Sequence, residues 1–137
     1  MSNPVKVLIV DDEARVAESY RGYLVLDQDT NYHVEAVLHP RDVLAVAERF
    51  RPHVILLDNF FPEGEVGIDQ LLPALKSRFE STKVIIITGQ RGRELAPIQR
   101  ALSWQADDFL DKPVDPKTLR DHVKRAYDLY LEETGER

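Results

Sequence analysis

The sequence predicts an α/β fold, a doubly wound five-stranded parallel sheet with helices on both faces. Two observations carry that prediction. Short runs of aliphatic and β-branched residues are continuous rather than alternating, the pattern of strands buried on both faces of a parallel sheet. Segments with helical spacing lie between them, so strand and helix alternate five times along the chain. The 137 residues are the usual size of one domain and can bury a core without cross-links. We read residues 1–137 as that single domain, with a core over about 5–130.

The first strand is expected at Lys6-Val7-Leu8-Ile9-Val10. The mixed run Tyr32-His33-Val34-Glu35-Ala36-Val37 is the second, Val54-Ile55-Leu56-Leu57 the third and Val84-Ile85-Ile86-Ile87 the fourth. Asp108-Phe109-Leu110 is a weaker fifth. The first helical segment, residues 13–26, sets Val16, Tyr20, Tyr23 and Leu24 on one side. Pro40 suits a first helical turn, with Val43, Leu44, Ala47 and Phe50 recurring behind it. Ile68, Leu71, Leu72 and Leu75 give the third stripe, where Pro73 makes the helix start late or bend. A shorter fourth segment runs from Leu95 to Leu102. Asp115-Pro116 opens the fifth, followed by Leu119, Val123, Ala126, Tyr127 and Tyr130. Residues 131–137 form a polar tail that frays or leads on to an output domain.

Hydrophobic residues at 43% and charged residues at 31% argue against disorder. The absence of cysteine excludes disulfides and thiolate chemistry and fits a cytoplasmic protein. Met1-Ser2-Asn3-Pro4 has no basic leader, and runs such as Val84 to Ile87 are too short to cross a bilayer. A net charge of -6 with no basic block argues against direct nucleic-acid binding by this domain. His33, His39, His53 and His122 lack metal-ligand spacing and read as surface or boundary residues.

Ligands of an open α/β sheet collect beyond the carboxyl ends of its strands. Asp11, Asp12 and Glu13 follow the first strand, Asp58 the third, Thr88 the fourth and Lys112-Pro113 the fifth. Carboxylates, a hydroxyl and an ammonium thus converge on one edge. Crowded carboxylates repel one another and are tolerated where a hard cation such as Mg²⁺ neutralises them. A phosphoryl group arriving there can be attacked by a carboxylate to give an aspartyl phosphate. Mg²⁺, Lys112 and the Thr88 hydroxyl would then meet its oxygens. Taken singly, Asp12 or Asp115 is as readily a helix cap.

Four segments carry a family resemblance: Val7-Leu8-Ile9-Val10-Asp11-Asp12-Glu13, Ile55-Leu56-Leu57-Asp58 with Pro62 after it, Ile85-Ile86-Ile87-Thr88, and Ala106-Asp107-Asp108-Phe109-Leu110-Asp111-Lys112-Pro113. In order, over Val5 to Tyr130, they resemble the response-regulator receiver domain, the CheY-like family of two-component signalling. The resemblance implies a flavodoxin-like (βα)5 sheet of order 2-1-3-4-5. It implies Asp58 as phosphoacceptor for a sensor histidine kinase or phosphotransfer protein. Asp11 and Asp12, with Asp58 and the Phe60 backbone carbonyl, would hold Mg²⁺. Thr88 would close on the phosphoryl group, Lys112 would pair with it or with Asp58, and Lys112-Pro113 would be cis. Phe109 falls at the family's switch aromatic, coupled to Thr88, and reports on the face of the fourth helix, fifth strand and fifth helix. A homodimer would form through that face.

Some positions depart from the family. Val66 stands where glycine is usual and Gly67 follows, and Asn59-Phe60-Phe61 is aromatic where aliphatic residues are common. Gly89 replaces alanine or serine, Gln105 replaces glycine, and Trp104 either plugs the fourth helix or anchors an interface. The loop after Asp58 resembles receivers of citrate and dicarboxylate sensing regulators, which carry helix-turn-helix outputs in transcription. On this reading the chain phosphorylates and dephosphorylates itself and turns over no metabolite. The alternatives are a phosphorylation-independent pseudo-receiver and a Mg²⁺-dependent phosphohydrolase of the haloacid-dehalogenase type. The latter wants an aspartate two residues after its nucleophile, where Asp58 has Phe60.

Overall fold

A computed structural model describes residues 3–58, 68–88 and 105–136. Strand β1 is Val5–Val10, and all of it except Lys6 is buried. Strands β3, Val54–Asp58, and β4, Lys83–Thr88, are buried throughout, as continuous apolar runs require. Strand β2, Tyr32–Val37, and the short β5, Asp108–Asp111, are only partly covered. All pairings are parallel, in the order β2-β1-β3-β4-β5. The mixed composition of the second and fifth runs follows from their place at the sheet's edges.

Helix α1 is Ala14–Val25, α2 is Val43–Phe50, α3 is Ile68–Arg78 and α4 is Pro116–Thr134. The pleat sorts strand side chains between two cores. Val7, Ile9, Val54, Leu56, Ile85 and Ile87 pack with Ala17, Tyr20 and Leu24 of α1 and Leu119, Val123 and Ala126 of α4. Leu8, Val10, Ile55, Leu57, Val84 and Ile86 pack with Val43 and Ala47 of α2 and Leu71, Leu72 and Leu75 of α3. Each fully buried aliphatic side chain contributes about 1.5–3 kcal/mol relative to exposure. The sheet is therefore the stable frame on which its carboxyl edge is held.

Three boundaries differ from the sequence reading. Pro40 opens a 3-10 turn, Pro40–Asp42, and α2 begins only at Val43. Pro73 lies inside α3, where its missing N–H forgoes one intrahelical bond without ending the helix. Helix α4 runs to Thr134, into the polar tail, and stops at Gly135 in the left-handed conformation at φ 71°. There the Gly135 N–H donates to the Leu131 carbonyl at 2.8 Å. Buried Lys83 steadies that end of α4 with an ion pair to Glu133 at 2.7 Å. At its start, Pro116 occupies the first turn and Asp115 accepts the Thr118 N–H at 3.0 Å. The expected helix at 95–102 lies outside the described residues, as do Phe60, Gly89 and Trp104.

Candidate functional site

Each chemical side chain is delivered to the carboxyl edge by the end of a strand. The Asp11 N–H donates to the Val37 carbonyl at 3.1 Å, continuing the β1–β2 ladder one residue past Val10. The Asp11 Oδ1 then accepts the Glu13 N–H at 2.9 Å, a local turn that leads into α1. Asp58 is the last residue of β3 and pairs in register with Ile87. Thr88 ends β4 opposite Asp111 of β5. Beyond it the Lys112 N–H donates to the Thr88 carbonyl at 2.7 Å, and the Lys112-Pro113 bond is cis.

The carboxylates do meet. Asp11, Asp12 and Asp58 each offer a carboxylate oxygen, and these oxygens lie within 4.8 Å of one another. Asp11 is 1% exposed and Asp58 4%. Asp11 Oδ2 is buried with no hydrogen-bond partner. Burial above all, with the charges of Asp58 and Asp12, pushes the Asp11 carboxyl up to about 6, against the opposing pull of the Glu13 N–H and Lys112. Lys112 Nζ stands 3.4 Å from Asp58 Oδ1, and the lysine side chain is 28% exposed. Two buried carboxylates and the half-buried Asp12 thus face the partly covered Lys112 ammonium.

These residues fit a small hard cation. Mg²⁺ takes oxygen donors at about 2.0–2.1 Å, so oxygens on opposite sides of it are roughly 4 Å apart. Three oxygens cannot all be opposite one another, so the carboxylates, now within 4.8 Å, would draw in to about 3 Å between neighbours or bind through water. The orphaned Asp11 Oδ2 has the most to gain. Phe60, whose carbonyl completes the set inferred from the sequence, lies outside the described residues.

Thr88, 1% exposed, donates its hydroxyl to Asp111 Oδ1 at 2.9 Å. The sequence alone assigns Asp111 no role, because its contact with Thr88 depends on the β4–β5 register. Phe109 is partly buried and packs with Ala106 against the core on the α2 and α3 side. Beside the carboxylates, a cleft of about 440 Å³ is lined by Glu13, Val16, Ser19, Tyr20, Tyr23, Lys112, Pro113 and Val114. His53 accepts the Lys6 N–H on Nδ1 at 3.0 Å, and His122 Nδ1 lies 2.5 Å from Asp108 Oδ2. Both are built into the scaffold away from the acid cluster. Among the described residues, no helix is long and apolar enough to cross a membrane.

Comparison with known proteins agrees with this fold. A family model described as the response regulator receiver domain matches residues 7–124. Transcriptional regulatory protein CitB of Klebsiella pneumoniae is 31% identical over 125 residues, covering 88% of this chain and 50% of that protein. Phosphate regulon transcriptional regulatory protein PhoB of Escherichia coli (strain K12) is 36% identical over 121 residues, covering 87% and 50%. The chain spans about half the length of the curated relatives it matches. A CheY-like response regulator receiver domain protein from Methanospirillum hungatei JF-1 superposes with a TM-score of 0.80 at 27% identity, covering 96% of this chain and 99% of that one.

Proposed function

The chain belongs to the response regulator receiver family, and from that premise we propose that it is a signalling switch phosphorylated on Asp58. One observation carries the assignment: a buried strand-end carboxylate, Asp58, shares a carboxylate cluster with Asp11 and Asp12 and stands 3.4 Å from the Lys112 ammonium. Asp11, Asp12 and Asp58, with the Phe60 carbonyl, would hold Mg²⁺. Bound there, the ion would offset charge on the transferred phosphoryl oxygens.

An Asp58 carboxylate oxygen attacks phosphorus, the new O–P bond forms, and the donor's P–N bond breaks with its electron pair returning to the histidine nitrogen. Lys112, already 3.4 Å from Asp58 Oδ1, pairs with the charge that develops. Thr88 then turns its hydroxyl to the phosphoryl group and Phe109 moves with it, so the product is a conformation. The donor is a sensor histidine kinase or phosphotransfer protein. The apolar side chains Val16, Tyr20 and Tyr23 in the cleft beside Lys112 support its approach from the α1 side. The names of CitB and PhoB support a link to transcriptional control.

The test is to incubate the chain with a small phosphodonor and Mg²⁺ and weigh it intact. Wild type should gain one phosphoryl group and Asp58→Asn none. Absence of the adduct, or an equal adduct in Asp58→Asn, rejects the assignment.

A further inference from the structure

We propose that Asp111 is a positioning residue that holds the Thr88 hydroxyl away from the phosphoryl site and so brakes the switch. The proposal rests on the reading that Asp58 takes the phosphoryl group and Thr88 closes on it. A threonine hydroxyl has one proton to donate. Here that proton goes to Asp111 Oδ1 at 2.9 Å. While it does, Thr88 has no donor for a phosphoryl oxygen.

The sheet itself sets this contact. Thr88 and Asp111 are register partners on β4 and β5, and the Lys112 N–H to Thr88 carbonyl bond of 2.7 Å fastens the same end of the ladder. Thr88 is almost fully buried, so water is a poor substitute acceptor for its proton. A carboxylate oxygen accepts more strongly than a neutral group. Switching is therefore an exchange of one anionic acceptor, Asp111, for another, the phosphoryl group on Asp58. A ligand shifts such an equilibrium only by its differential affinity for the two states. The bond to Asp111 subtracts from that difference and keeps the resting chain off. Asp111 is exposed at the strand end, so its replacement leaves both cores untouched.

Asp111 also carries charge, and repulsion of an incoming phosphoryl group would mimic a latch. The substitutions separate the two. Asp111→Ala removes both acceptor and charge, whereas Asp111→Asn removes the charge and keeps an acceptor oxygen. The probe is beryllofluoride with Mg²⁺, a phosphoryl analogue that binds a carboxylate reversibly, titrated by calorimetry. Asp111→Ala should bind about tenfold more tightly than wild type, equal to about 1.4 kcal/mol. Asp111→Asn should stay within about threefold of wild type. The tenfold gain should vanish in a Thr88→Ala background and return in Thr88→Ser, which restores a hydroxyl.

Equal affinity of Asp111→Ala and wild type overturns the latch. So does an equal gain in Asp111→Asn, or a gain that survives in Thr88→Ala, since either makes the effect one of charge. Failure of wild type to bind beryllofluoride at all removes the phosphoacceptor reading and the latch with it. Binding by wild type with no response to Asp111→Ala removes the latch alone.

Discussion

Replacing Asp11 by asparagine should stabilise the cation-free protein. The ionised Asp11 side chain is 1% exposed, shares a space 4.8 Å across with Asp12 and Asp58, and leaves Oδ2 without a hydrogen bond. Its carboxyl is pushed from 3.8 to about 6. Each pH unit of such a displacement corresponds to about 1.4 kcal/mol, so near neutral pH the ionised form costs the fold on the order of 3 kcal/mol. Asparagine keeps the Oδ1 that accepts the Glu13 N–H and puts an N–H donor in place of the orphaned oxygen. Urea unfolding at pH 7.5 with a chelator should therefore show Asp11→Asn more stable by up to ~3 kcal/mol. Mg²⁺ at 100 times its dissociation constant should return about 2.7 kcal/mol to wild type and much less to the variant. The reasoning fails if Asp11→Asn is less stable than wild type in chelator, or if Mg²⁺ stabilises both equally.

Two further outcomes follow from the scaffold. Lys83 is 7% exposed and pairs with Glu133 at 2.7 Å but with Asp107 only at 3.8 Å, so Glu133→Ala should cost about 1–3 kcal/mol in urea unfolding while Glu133→Gln, which keeps an acceptor, costs less. Burial, with the charge of Lys6, holds His53 below the usual histidine range, and its Nδ1 must stay unprotonated to accept the Lys6 N–H. The unfolded chain then binds the extra proton first, so this part of the stability is complete above pH 6.5 and is lost as pH falls below it. Measured in the Asp11→Asn background, which removes the carboxyl's opposite slope, the urea midpoint should drop on acidification, and the drop should shrink in His53→Gln.

The strands that were easiest to read, β1, β3 and β4, are buried on both faces and so announce themselves as uninterrupted apolar runs. The ends of helices were harder. Pro40 suits a helical first turn or a 3-10 turn equally, and only packing of Val43 and Ala47 against Leu8 and Ile55 fixes where α2 begins. Composition suggested that the chain frays near Leu131. Instead α4 continues to Thr134, because buried Lys83 needs Glu133 and Gly135 can take the left-handed turn. For the site, Asp11, Asp12, Asp58 and Lys112 can be picked out since each stands at or just beyond the end of a strand, and the topology then gathers them. The Asp111–Thr88 hydrogen bond could not, because it depends on which residue of β5 stands opposite which residue of β4.

Local charge gives the two steps of the proposed switch their order. Asp11, Asp12 and Asp58 with Lys112 leave the edge with a formal charge of -2 when all are ionised. Phosphorylation would exchange the single charge of Asp58 for roughly two on the phosphoryl group, deepening the excess at a site where Asp11 already resists ionisation. A divalent cation would bring the same edge to zero beforehand and to about -1 afterwards, so on the proposed reading the transfer would be favoured with the cation bound. Lys112 cannot take its place, since one ammonium leaves the sum negative throughout. Asp111 acts on the step after that. Its bond to Thr88 stands one residue from Lys112 yet outside the carboxylate cluster, so removing it should change how readily the conformation follows the phosphoryl group while leaving the dependence on Mg²⁺ intact.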